Sequence, residues 1–129
     1  MNNIETELLE DTNLINSKSN LYCFQFSWLY GDEIYLPYSM GILWAYARTI
    51  SEINNNIENK GFVVLRENPD DIVARLEDPK IAAFSTYVWN WEISVSVARL
   101  IKERYPKCLI IFGGPQVPNA DRLDDFFDK

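Results

Sequence analysis

The chain is expected to form a doubly wound α/β fold, a parallel sheet with helices on both faces. Three observations predict it. Short apolar runs of strand length alternate with segments of helical periodicity along most of the sequence. The connections between them are short, and parallel crossovers are right-handed, so consecutive βα units build one sheet. The third apolar run, Ile81–Ser85, is continuous rather than alternating, as a strand buried on both faces requires.

Taken in order, residues 1–20 are polar and acidic and read as an N-terminal extension, with room for one short helix over Ile4–Glu10. Residues 21–129 form the domain. Leu21–Phe26 is the first strand, and Ser27–Pro37 is its exit loop. Tyr38–Ile53 reads as a helix with Met40, Leu43, Ala47 and Ile50 on its inner face, and Pro37 suits its first turn. Asn54–Asn56 ends that helix, and Gly61 precedes the second strand, Phe62–Arg66. Asn68 caps the next helix, with Pro69, Asp70 and Asp71 in its first turn. That helix closes near Leu76. Asn90 caps a long helix, Trp91–Tyr105, whose inner face carries Ile93, Val97, Leu100, Ile101 and Tyr105. Lys102 and Arg104 complement the negative end of its dipole. Leu109–Phe112 is the fourth strand, and Asp121–Phe127 reads as a fourth helix.

Composition bounds the function. The 129 residues are 47% apolar and 24% charged, ordinary usage for one domain. A chain of this length buries roughly two thirds of its unfolded surface, enough for a core without disulfides. Twelve basic against nineteen acidic residues give a net charge of −7, which argues against a nucleic-acid partner. The sequence contains no histidine, which excludes His-based catalytic triads and imidazole metal sites. Its two cysteines, Cys23 and Cys108, fall in strand-like runs without metal spacing and read as small buried hydrophobes of a reducing compartment. The N-terminus lacks the basic and apolar regions of a secretory signal, and no apolar run approaches the ~20 residues of a membrane helix. The expectation is a soluble cytoplasmic protein without membrane contact.

In a doubly wound sheet, ligands lie beyond the carboxyl ends of the strands. The third strand ends in Ser85-Thr86-Tyr87-Val88-Trp89-Asn90, a group of hydroxyls, aromatics and an amide suited to a flat, largely apolar ligand with polar fringes. The same aromatics could equally cap the core beneath the loop. The fourth strand ends in Gly113-Gly114-Pro115-Gln116, either a turn or a place where a ligand meets bare backbone. Neither phosphate-binding glycine fingerprint occurs, so nucleotide hydrolysis and simple dinucleotide binding lose support. Of the acidic pairs, only Asp32-Glu33 lies in a strand's exit loop.

Three stretches in order, Tyr35-Leu36-Pro37-Tyr38-Ser39-Met40-Gly41-Ile42-Leu43, Phe84-Ser85-Thr86-Tyr87-Val88-Trp89-Asn90 and Ile111-Phe112-Gly113-Gly114-Pro115-Gln116-Val117-Pro118, resemble the cobalamin-binding domain of radical S-adenosylmethionine (SAM) enzymes. The resemblance covers about residues 21–127. It implies a flavodoxin-like sheet holding cobalamin (vitamin B12) over its carboxyl edge, with the nucleotide tail in the sheet's crevice. Ser85 then resembles the hydroxyl that hydrogen-bonds the tail. Gly113 and Gly114 resemble the glycine pair that the tail passes, so a branched side chain at Gly114 is expected to obstruct it. Tyr87, Trp89 and Asn90 fall in the loop expected beneath the corrin. Thr86, Pro115 and Gln116 complete the cofactor-binding set within the same motifs.

The Asp-x-His-x-x-Gly motif that ligates cobalt in other cobalamin domains is impossible without histidine, so the resemblance implies a base-off, His-off mode. The C-x-x-x-C-x-x-C of a four-iron four-sulfur cluster is also missing. The cluster and S-adenosylmethionine therefore belong to a downstream radical SAM domain, and this segment reads as the N-terminal cofactor domain of a longer enzyme, without catalysis of its own. Such a sheet expects a further strand after the fourth, and its open edge is a route to dimerisation. Two other readings remain beside this one: a cofactor-free α/β accessory domain of a radical SAM protein, and a flavin or nucleotide binder.

Overall fold

A computed structural model describes residues 17–122. Its main sheet has four parallel strands in the order β4-β1-β5-β6: β1 is Ser19–Ser27, β4 Ile57–Leu65, β5 Pro79–Ser85 and β6 Leu109–Gly113. The chain steps outward from β1 to β4, then returns past β1 to β5 and on to β6. The strand order thus reverses between β1 and β5, which puts a crevice at their carboxyl ends. The doubly wound α/β class read from the sequence is the observed one.

The two faces of the sheet differ in how they are filled. On one, Phe24, Phe84 and Phe112 sit side by side on three adjacent strands, their rings stacked at 4.6 and 5.1 Å. Cross-strand aromatic pairs of this kind add to the plain burial of area. Helices α3 (Pro69–Ala74) and α4 (Trp91–Arg104) cover this face, contributing Ile72, Val73, Val97, Ala98 and Ile101 to the core. On the other face lie Cys23, Ala83 and Ile111, beside helix α1 (Tyr38–Ala47). Ser39 at the start of α1 donates a 3.2 Å hydrogen bond to Gln25 Oε1 of β1.

Several boundaries depart from the sequence reading. The helix expected over Tyr38–Ile53 is two helices, α1 and α2 (Ser51–Asn56). Thr49 separates them: its hydroxyl donates to the Tyr46 carbonyl at 2.7 Å, a bond that competes with the helical ladder. The inner face of α1 is also rotated. Met40 is buried, with Pro37, Gly41, Trp44 and Ala47 half-buried, whereas Leu43 is 67% exposed. With no charged residue in α1, its sequence cannot say which side faces inward.

The second strand begins at Ile57, so Gly61 lies within it at φ 145, opposite an irregularity in β1 between Leu21 and Tyr22. β1 begins at Ser19, inside the stretch read as an extension. The expected loop Ser27–Pro37 contains a hairpin, β2 (Leu29–Tyr30) and β3 (Glu33–Ile34), turned at Gly31 with φ 64. Near the fourth predicted helix, a short 3-10 turn spans Ala120–Arg122. The remainder of that helix and the one read over Ile4–Glu10 lie outside the described residues. Both cysteines are buried and free, as the sequence suggested.

Candidate functional site

The exits of β5 and β6 are tied into one unit. Thr86, directly after β5, donates from both its backbone N–H and its Oγ1 to the Gly113 carbonyl, at 2.7 and 2.8 Å. The Gln116 N–H returns to the Thr86 carbonyl at 3.2 Å. This crossing brings Gly114 against the Thr86 backbone. A Cβ on Gly114 would lie 2.5 Å from the Thr86 carbonyl oxygen, and its φ of 99 belongs to the region that favours glycine. The glycine at 114 is therefore demanded by the chain's own approach to itself. At Gly113 a Cβ would meet nothing within 4 Å.

That open space belongs to a cleft of about 370 Å³ between α1 and the ends of β5 and β6. Ser39, Met40 and Leu43 form its helix side; Ala83, Ser85 and Ile111 lie on its sheet side. Tyr87, Gly113, Gly114 and Pro115 complete its rim. The small side chain of Ala83 and the absent one of Gly113 leave the volume free. The lining is mostly apolar, with Ser39 and Ser85 contributing hydroxyls.

The loop above β5 is organised from within. Asn90 is fully buried, and its side chain ties three backbone groups together: Oδ1 accepts from the Tyr87 N–H at 2.8 Å, while Nδ2 donates to the carbonyls of Phe26 and Ser85, both at 3.1 Å. Asn90 occupies the N-cap position of α4, but its side chain turns back into the loop instead of capping a helix N–H. It therefore joins the ends of β1 and β5. The Tyr87 and Trp89 rings stack at 4.5 Å and 13°, with Trp89 more than half exposed.

The residues proposed from sequence thus divide. Ser85, Tyr87, Gly113, Gly114 and Pro115 meet at one cleft. Thr86 and Asn90 direct their side-chain polar atoms to protein partners, and Gln116 engages Thr86 through its backbone. Trp89 stands with Tyr87 at the exposed edge of the loop. Sequence reasoning missed the α1 side, Ser39, Met40 and Leu43, as lining. From sequence their stretch carries part of the resemblance and reads as a helix entry with Met40 and Leu43 on the inner face. Asp32 and Glu33 are exposed on the hairpin, and no metal-holding cluster of acids and cysteines exists among the described residues.

Comparison with known proteins returns no matching family model. Over 95 residues, 74% of the chain, the sequence is 39% identical to the 2-(S-pantetheinyl)-carbapenam-3-carboxylate methyltransferase of Streptantibioticus cattleyicolor. Over a stretch of the same length it is 37% identical to the cobalamin-dependent radical SAM methyltransferase TokK of Streptomyces tokunonensis. The chain spans 14% of the length of each of these relatives. The resemblance drawn from the three sequence stretches is borne out by this likeness to a cobalamin-dependent radical SAM methyltransferase.

Proposed function

We propose that this chain, homologous to a segment of radical SAM methyltransferases, is a cobalamin-binding domain that serves methyl transfer in a longer enzyme. The observation that carries this reading is the cleft at Gly113, a mostly apolar space next to bare backbone at the carboxyl edge of the sheet. Its chemistry fits the flat, weakly polar end of a cobalamin nucleotide tail. Apolar walls take up the ring, and the Ser85 and Ser39 hydroxyls meet polar fringes. Gly113, having no Cβ, leaves room for close approach.

When bound, cobalamin supplies a cobalt centre able to carry a methyl group. The protein's part is to bind and orient it. Tyr87 and Trp89 offer a stacked aromatic surface at the loop, and Asn90 fixes that loop from below. This chain contains no imidazole to ligate cobalt, and with the nucleotide tail taken up in the cleft the reading is a base-off, His-off mode. S-adenosylmethionine, the iron–sulfur cluster and the methyl acceptor belong in this reading to a downstream radical SAM domain in the cytoplasm. The described part of the chain contains no helix long and apolar enough to cross a membrane.

Mixing the chain with hydroxocobalamin and desalting tests the reading. The expected result is near-stoichiometric retained colour with a base-off visible spectrum. Colourless protein, folded by circular dichroism, refutes cofactor binding by this chain and favours the accessory-domain alternative.

A further inference from the structure

Arg66 leaves the end of β4 at the sheet edge, away from the cleft, yet its guanidinium makes two contacts that converge on the site. Its Nη1 donates a 2.8 Å hydrogen bond to the Trp89 carbonyl, and its Cζ lies 4.2 Å from the centroid of the Trp28 ring. The register of the sheet makes this possible. An irregularity between Phe24 and Ser27 sets Ser27 opposite Leu65, so the next residues, Trp28 and Arg66, leave the paired strands side by side. Arg66 thereby bridges the exits of β1, β4 and β5.

A planar guanidinium can lie on an aromatic face and still donate at its edge, which an ammonium on a flexible stem does poorly. Asn90 anchors the base of the Tyr87–Asn90 loop from inside the protein. Arg66 grips the same loop from outside, at the backbone of the exposed Trp89. We propose that Arg66 is a positioning residue: clamped over Trp28 and bonded to the Trp89 carbonyl, it sets where the stacked Tyr87–Trp89 pair lies and so how tightly the carboxyl edge holds cobalamin. The inference rests on the cobalamin reading above.

Amide hydrogen exchange and hydroxocobalamin titration on the 129-residue chain test it together. In Arg66→Ala the Tyr87 and Asn90 amides are expected to exchange about tenfold faster or more, the loss of one charge-assisted hydrogen bond, while amides of β1 and β5 keep their protection. Hydroxocobalamin affinity falls by about the same factor. Arg66→Lys recovers part of both effects, and Trp28→Leu, which leaves the hydrogen bond in place, shows a smaller loss of both. A purely structural role would instead lower protection throughout the sheet, with no recovery by lysine. Unchanged loop exchange in Arg66→Ala overturns the proposal, as does a loosened loop with undiminished affinity. Failure of the wild-type chain to take up hydroxocobalamin counts against the proposed function instead, and the exchange comparison then decides the clamp alone.

Discussion

Adjacent glycines at 113 and 114 meet opposite physical demands. Gly114 is required by φ 99 and by the Thr86 backbone, whereas Gly113 faces open space in the cleft. Substitution should separate the two. Gly114→Ala is expected to destabilise the fold by about 2 kcal/mol or more through backbone strain and close contact, read as a lower urea midpoint. Gly113→Val should keep the urea midpoint, since valine suits a strand end, while hydroxocobalamin affinity drops more than ~10-fold. A Gly113→Val chain that binds as tightly as wild type would remove the tail from this cleft. The sequence makes the pair visible, leaves a turn and a ligand approach both open for it, and through the resemblance gives the two glycines the same role. Only the crossing of two strand exits, set by the Thr86–Gly113 hydrogen bonds, distinguishes them.

Elements whose signals are local came out close to their sequence reading. The Asn68 side chain accepts from the Asp70 N–H at 2.9 Å, with Pro69 opening α3 and two acids in its first turn. Asn68→Ala should cost about 1 kcal/mol in urea unfolding, the usual worth of an N-cap; no change would mean that packing of Ile72 and Val73 alone holds the helix. α4 likewise keeps its amphipathic face, with Val97 and Ile101 fully buried. α1 is the contrasting case. Ten residues without a charge offer every rotation an apolar side, so the choice of Met40 over Leu43 as the buried residue falls to contacts with the sheet. Asn90 shows the same limit in another form. Its place at the start of α4 reads as a cap, but the side chain makes no cap bond; its bonds to Phe26 and Ser85 depend on where β1 and β5 end in space.

For the molecule as a whole, the core lies mainly on the α3–α4 face, and Cys23 is buried on the opposite one. Burial pushes the Cys23 thiol from its ordinary 9.0 up to about 11, and burial also raises Cys108 against the lowering influence of Lys102 and Lys80. The native state therefore keeps the Cys23 proton where the unfolded chain releases it. The buried thiol leaves stability untouched below pH 9.0 and diminishes it as pH rises from there towards about 11. Urea midpoints measured across that window should fall, and Cys23→Ala should flatten the decline. A decline of equal slope in Cys23→Ala would assign the alkaline loss to other groups. At neutral pH both thiols should resist a disulfide reagent until the chain unfolds, because neither is exposed nor ionised.

Fold class, the four strands of the main sheet, the capped α3 and the amphipathic α4 were legible along the chain, as was its lack of histidine. These follow from periodicity, composition and caps, which act over a few residues at a time. The rotation of α1, the separate duties of Gly113 and Gly114, the inward turn of Asn90 and the reach of Arg66 to Trp89 appear only in the folded chain. Each of those depends on groups brought together from different strands. Their contacts are set by sheet register and crossover geometry, which no short window of sequence contains.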